Sequence, residues 1–117
     1  MAYDHDLADR VRELVSVEPG LSEQAMFGGL AFLIHGNMAV AASGQGGVLV
    51  RVDPADSDRL VASTAAERME MGGRSMNGWL RVPAENVRTK RDLSRWVGLG
   101  LRYAQTLPPK KAKKRTG

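Results

Sequence analysis

The side chains able to do chemistry in this 117-residue sequence are few and scattered. There is no cysteine, which removes thiol nucleophiles, disulfide frameworks, thiolate zinc sites and iron–sulfur clusters together. Two histidines occur, His5 and His35, too few for a multi-histidine metal centre. His5 stands four residues before Asp9, a spacing that shares one helix face. An imidazole and a carboxylate without a nucleophile make neither a triad nor a metal site. Asp53, Asp56 and Asp58 cluster where a helix is expected to start, the place a helix dipole favours carboxylates, and do not read as a paired acid and base. Gly28-Gly29, Gly44-Gln45-Gly46-Gly47 and Gly72-Gly73 lack the Gly-Lys-Ser/Thr ending and the strand-to-helix setting of a phosphate loop, and read as turns. The inventory predicts a protein with no catalytic residues, no metal and no cofactor.

The elements that must position these groups follow from periodicity. Leu7, Val11, Leu14 and Val15 recur at helical spacing over residues 5–17, and Glu18-Pro19-Gly20 ends the helix. From residue 23 the pattern becomes strand-like. Leu30–His35 and Met38–Ala42 flank Gly36-Asn37, a pair suited to a tight hairpin turn. That turn pairs His35 with Met38, Leu33 with Val40 and Ala31 with Ala42 on one face, and leaves Leu30, Phe32, Ile34, Ala39 and Ala41 on the other. Val48, Val50 and Val52 mark the next strand. Asp53-Pro54 opens a short helix reaching about Ala65, with aspartate as cap and proline at the first helical position. Arg68–Met71 and Trp79–Pro83 form two more strands, set apart by Gly72-Gly73 and Asn77-Gly78. Thr89 and Asp92 cap a last helix bearing Leu93, Trp96, Val97, Gly100, Leu101 and Ala104. At least one of Gly98 and Gly100 is expected to permit close packing, since each weakens the helix. The order α-β(3–4)-α-β(2)-α predicts a two-layer α+β domain, helices packed on an antiparallel sheet.

The net charge of +4 belongs to the end of the chain. Lys110, Lys111, Lys113, Lys114 and Arg115 lie in the last eight residues, and residues 1–109 carry 12 basic against 13 acidic groups. No apolar run approaches a membrane span, and Met-Ala-Tyr-Asp-His-Asp is acidic where a signal peptide is basic. One cytoplasmic domain over 1–109 and a basic, disordered tail over 110–117 are expected.

Several words of the sequence, taken in order, resemble the N-terminal domain of the TfoX/Sxy family of bacterial competence regulators. They are Met26-Phe27-Gly28-Gly29-Leu30-Ala31-Phe32, Gly36-Asn37-Met38, the strand Val48–Val52 running into Asp53-Pro54, Met76-Asn77-Gly78-Trp79, and Trp96-Val97 through Leu107-Pro108-Pro109. The resemblance spans roughly residues 3–109. It implies a secretion-chaperone-like α+β fold and a regulatory role, and supplies no catalytic residue to carry over. The competence regulators of that family have a second, C-terminal domain; here the basic tail follows instead.

Two surfaces emerge as candidates. A hairpin apolar on both faces needs cover on both, so Phe32, Ile34, Leu33, Val40 and Met38 form an expected interface for a second copy or a protein partner. Met26, Met38, Met69, Met71 and Met76 read first as core packing and second as a pliable partner groove. Trp79 and Trp96 read as core anchors. The tail Lys110, Lys111, Lys113, Lys114 and Arg115 suits non-specific contact with nucleic-acid phosphates, with Arg51 and Arg81 as additions from the strands. Five such contacts give a salt slope of at most about −4.5. The leading expectation is a non-enzymatic regulatory or adaptor domain acting through protein contacts; the alternative is an accessory nucleic-acid binder.

Overall fold

The chain runs α1 (His5–Val15), β1 (Leu21–Met26), β2 (Gly29–Ile34), β3 (Asn37–Ala42), β4 (Val48–Arg51), α2 (Ser57–Ser63), β5 (Glu67–Met71), β6 (Arg74–Val82) and α3 (Lys90–Thr106). The computed structural model describes residues 3–26, 28–71 and 73–109. Short 3-10 turns at Pro54–Asp56 and Ala84–Val87 lead into α2 and towards α3. The α+β order expected from periodicity holds, with four strands before α2 and two after it. All strands join one antiparallel sheet in the order β1-β2-β3-β4-β6-β5.

Side-chain caps fix where the helices begin. The Asp4 carboxylate accepts from the Asp6 and Leu7 amides at 3.0 and 3.2 Å, starting α1. Asp53 accepts from Ala55 N–H at 2.9 Å ahead of Pro54, and Thr89 Oγ1 accepts from Asp92 N–H at 3.0 Å at the start of α3. The last two are the caps the sequence predicts.

The β2–β3 hairpin differs from its expected form. Its turn is His35-Gly36, with φ of 50° and 84°, and not Gly36-Asn37. Positive φ at both central residues matches the right-handed twist of the flanking strands, and glycine takes the second position without strain. Asn37 pairs with Ile34 instead of turning, and its buried side-chain amide donates to the Pro108 carbonyl at 2.9 Å. A register shift between Phe32 and Leu33 then places Phe32 opposite Val40 and Ala31 opposite Ala41. Val40 and Ala41 thereby exchange the faces assigned to them. The expected break at Asn77-Gly78 is also absent: both lie inside β6, where Gly78 bends the strand at φ 84° and its buried N–H donates to Ser57 Oγ at 2.7 Å.

The main core lies between the helices and one sheet face. Leu7, Val11 and Val15 of α1, Leu60 of α2, and Leu93, Trp96, Val97 and Ala104 of α3 meet Phe32, Ile34, Val40, Val48, Val50, Leu80 and Val82. Burying each larger aliphatic or aromatic chain contributes about 1.5–3 kcal/mol. A Cβ at Gly100 would stand 2.3 Å from the Ala39 carbonyl oxygen, so the missing side chain is what lets α3 lie on β3. At the sheet edge, the Arg12 guanidinium of α1 donates to both carboxylate oxygens of Glu23 on β1, at 2.6 and 3.1 Å. This bidentate bond holds the Glu23 carboxyl below the usual carboxylate range and raises the Arg12 guanidinium above its own. Among the described residues no helix is long and apolar enough to cross a membrane.

Candidate functional site

The face of the sheet turned away from the helices carries a second apolar cluster built from strand residues alone. Ala31, Leu33, Met38, Ala41 and Leu49 form its floor, and Met26 of β1, Met69 of β5 and Trp79 of β6 pack against it. No floor residue is more than 7% exposed, although no helix supplies a side chain to this cluster. Side chains from both edge strands reach the same cluster, so the sheet is concave towards its helix-free face.

That concavity holds a cleft of about 380 Å³. Met26, Ala41, Ala42 and Leu49 give it an apolar base, with Met69 on the rim; Ser43 and Gln45 close one end. Glu67, Arg68, Glu70 and Arg81 supply charge around the opening. Two acids and two bases make the rim formally neutral. Arg68 is engaged elsewhere, in an ion pair with Asp58 of α2. Glu67 and Arg81 are direct partners across the β5–β6 ladder. The volume is at the lower end of small-molecule pockets and suits one or two inserted side chains.

Beside the cleft, the Arg51 guanidinium lies 5.0 Å from the Trp79 ring centroid and 5.7 Å from that of Tyr103 on α3. Both distances are within cation–π range, so this one arginine links the concave face to the helical layer.

The residues singled out from the sequence therefore divide. Phe32, Ile34 and Val40 are at most 1% exposed beneath the helices, where no partner touches them. Leu33 and Met38 face the other way, into the floor of the concave cluster. The expected need for outside cover fails for a geometric reason: a curved sheet covers its own second face. Trp96 is a core anchor as expected, whereas Trp79 is half-buried on the concave face. Arg81 rims the cleft, and the Arg51 guanidinium lies within cation–π range of Trp79 and Tyr103. Lys110, Lys111, Lys113, Lys114 and Arg115 lie outside the described residues, as do Phe27 and Gly72.

The histidines stay apart. The His5 ring stacks on Tyr3 with centroids 4.6 Å apart, and His35 occupies the hairpin turn with its ring over Gly20. Among the described residues no three His, Asp or Glu side chains converge as metal ligands would. Sequence reasoning missed Ser43, Gln45, Glu67 and Glu70 as parts of one site. They come from a loop and an edge strand that only sheet curvature brings together, and the surviving signal was the doubly apolar hairpin.

In comparison with known families, the model described as TfoX N-terminal domain matches residues 13–104 of this chain. The same sequence finds no counterpart among curated proteins.

Proposed function

The chain belongs to the TfoX N-terminal domain family, and from that membership together with the concave cleft we propose that it is a cytoplasmic regulatory domain of the competence type that works by gripping a segment of a partner protein. The cleft carries the reading. It pairs an apolar base with two flexible methionines and a ring of both charge signs, the composition of a surface that adapts to an inserted side chain. The cleft's one hydroxyl, Ser43 Oγ, accepts from the Gln45 N–H, and among the described hydrogen bonds it has no carboxylate or imidazole partner to activate it. The occupant is a loop or extended stretch presenting one or two apolar side chains, flanked by charges that can meet Glu67, Glu70 or Arg81. A second copy of the chain is the competing occupant.

The test combines cleft variants with mapped cross-links. Met26→Glu and Met69→Glu alter half-buried positions of the cleft, one in its base and one on its rim, and leave the main core intact. Both variants should remain folded and lose a partner that wild-type protein captures in the presence of nuclease, with cross-links mapping to residues 41–49 and 67–70. Equal capture by wild type and the folded double variant would overturn the proposal. Sedimentation at tens of micromolar decides the second-copy version, which requires a dimer that Met69→Glu dissociates.

A further inference from the structure

The charge of this protein is polarised along the chain. Residues 1–87 hold 7 basic and 12 acidic groups, net −5, whereas residues 88–117 hold 10 basic and one acidic, net +9. The structure gives the described part of the basic segment a shape. In α3, Arg91, Arg95 and Arg102 are spaced by four and seven residues, which at about 100° per residue places them within about 40° of one another on one stripe. All three are exposed. The stripe points away from the core, because Leu93, Trp96, Val97, Gly100 and Ala104 occupy the opposite side of the helix. Arg88 and Lys90, also exposed, stand at the helix start to one side of this stripe.

These cations are not spent on internal ion pairs. Among the described residues the salt bridges use Arg12, Arg59 and Arg68. Asp92 is the one acid of α3 and lies on its flank, and Arg102 borders a cleft containing Asp53 and Asp56 without pairing to either. Between Arg95 and Arg102 the crest drops at Gly98, where a Cβ would meet nothing within 4 Å.

From this arrangement we infer that the outer crest of α3 docks on the phosphate backbone of duplex nucleic acid, independently of base sequence. Arg91 to Arg102 spans about 16 Å along the helix, enough to reach phosphates on both sides of a major groove about 12 Å wide. The run Lys110–Arg115 begins after Leu107-Pro108-Pro109, just beyond the end of α3, and adds five cations to the same end of the sequence. An anionic membrane fits less well, since the apolar face that would enter lipid is already buried in the core. Single strands fit less well too, because no aromatic side chain stands on the crest to stack with bases. The inference makes no use of the concave cleft, and either surface can operate without the other.

Fluorescence anisotropy of the full chain with a labelled 25-base-pair duplex of arbitrary sequence, across a salt series, tests it. Eight contacts, three from the crest and five from the tail, give a log K against log salt slope of about −7. Arg91→Gln/Arg95→Gln/Arg102→Gln should fold normally and reduce the slope to about −4.5, while Arg12→Gln/Arg59→Gln/Arg74→Gln, an equal charge change elsewhere, leaves it near −7. A wild-type slope no steeper than about −4.5 overturns the inference without any variant. So does an unchanged slope in the crest variant, an equal loss in the control variant, or binding to phosphatidylserine vesicles in preference to the duplex.

Discussion

Gly100 of α3 rests directly on the backbone of Ala39, in the middle of β3, with 2.3 Å between the position of a Cβ and the Ala39 carbonyl oxygen. Two residues away, Gly98 has open space around it. Gly100→Ala must therefore push helix from sheet and should destabilise by about 1–3 kcal/mol. Gly98→Ala should stabilise by about 0.5–1 kcal/mol through helix propensity alone. Urea unfolding of the two variants checks the opposite signs, and a shared sign would contradict the packing described.

The two sides of the sheet should respond unequally to truncation. Phe32 is fully buried beneath the helices, and Phe32→Ala is expected to cost about 3–5 kcal/mol. Met69 is half-buried at the cleft, so Met69→Ala should cost well under half as much, within the range of about 0.5–3 kcal/mol for ordinary substitutions. Equal losses in denaturant melts would mean that the cleft belongs to the closed core.

Asn37 ties the hairpin to the end of the chain. It is 3% exposed, and its amide donates to the Pro108 carbonyl. Ending the chain after Leu107 leaves that buried donor without its acceptor and should cost about 1–3 kcal/mol. Ending it after Pro109 keeps the bond and should leave the melting temperature unchanged. Calorimetry of the two truncations separates the cases.

The Arg12–Glu23 contact makes part of the stability depend on pH. The Glu23 carboxyl is held below its ordinary value of about 4.5 by the guanidinium hydrogen bonds. Its contribution is present above that value and disappears as pH falls through the depressed one. Glu23→Gln should melt slightly below wild type near pH 7, by a small margin because the pair is partly solvated, and the two curves should converge as acid protonates the Glu23 carboxylate. A gap that persists in acid would assign the effect to packing.

Much of this architecture was legible in the residues. Helix periodicity located α1 and α3, Asp53-Pro54 and Thr89 marked true caps, and strand alternation found the sheet. What escaped was set by contacts distant in sequence. The shifted turn at His35-Gly36 depends on Asn37 finding Pro108, and the continuity of β6 through Gly78 depends on Ser57. Alternation says which residues share a face but not that the sheet bends, so Phe32 and Leu33 looked equally in need of a partner. For the same reason the cleft could not be assembled from Met26 and Glu67, which stand on strands at opposite edges. The α3 crest was hidden by averaging: its cations are offset by the acids of residues 1–87.

The two indoles stand on opposite sides of the sheet, Trp96 sealed under α3 and Trp79 beside the cleft against Arg51. The molecule thus carries two separate built-in optical reporters. In a Trp96→Phe chain the remaining emission senses a guest arriving at the concave face, whereas in a Trp79→Phe chain it stays silent until the helices lift away.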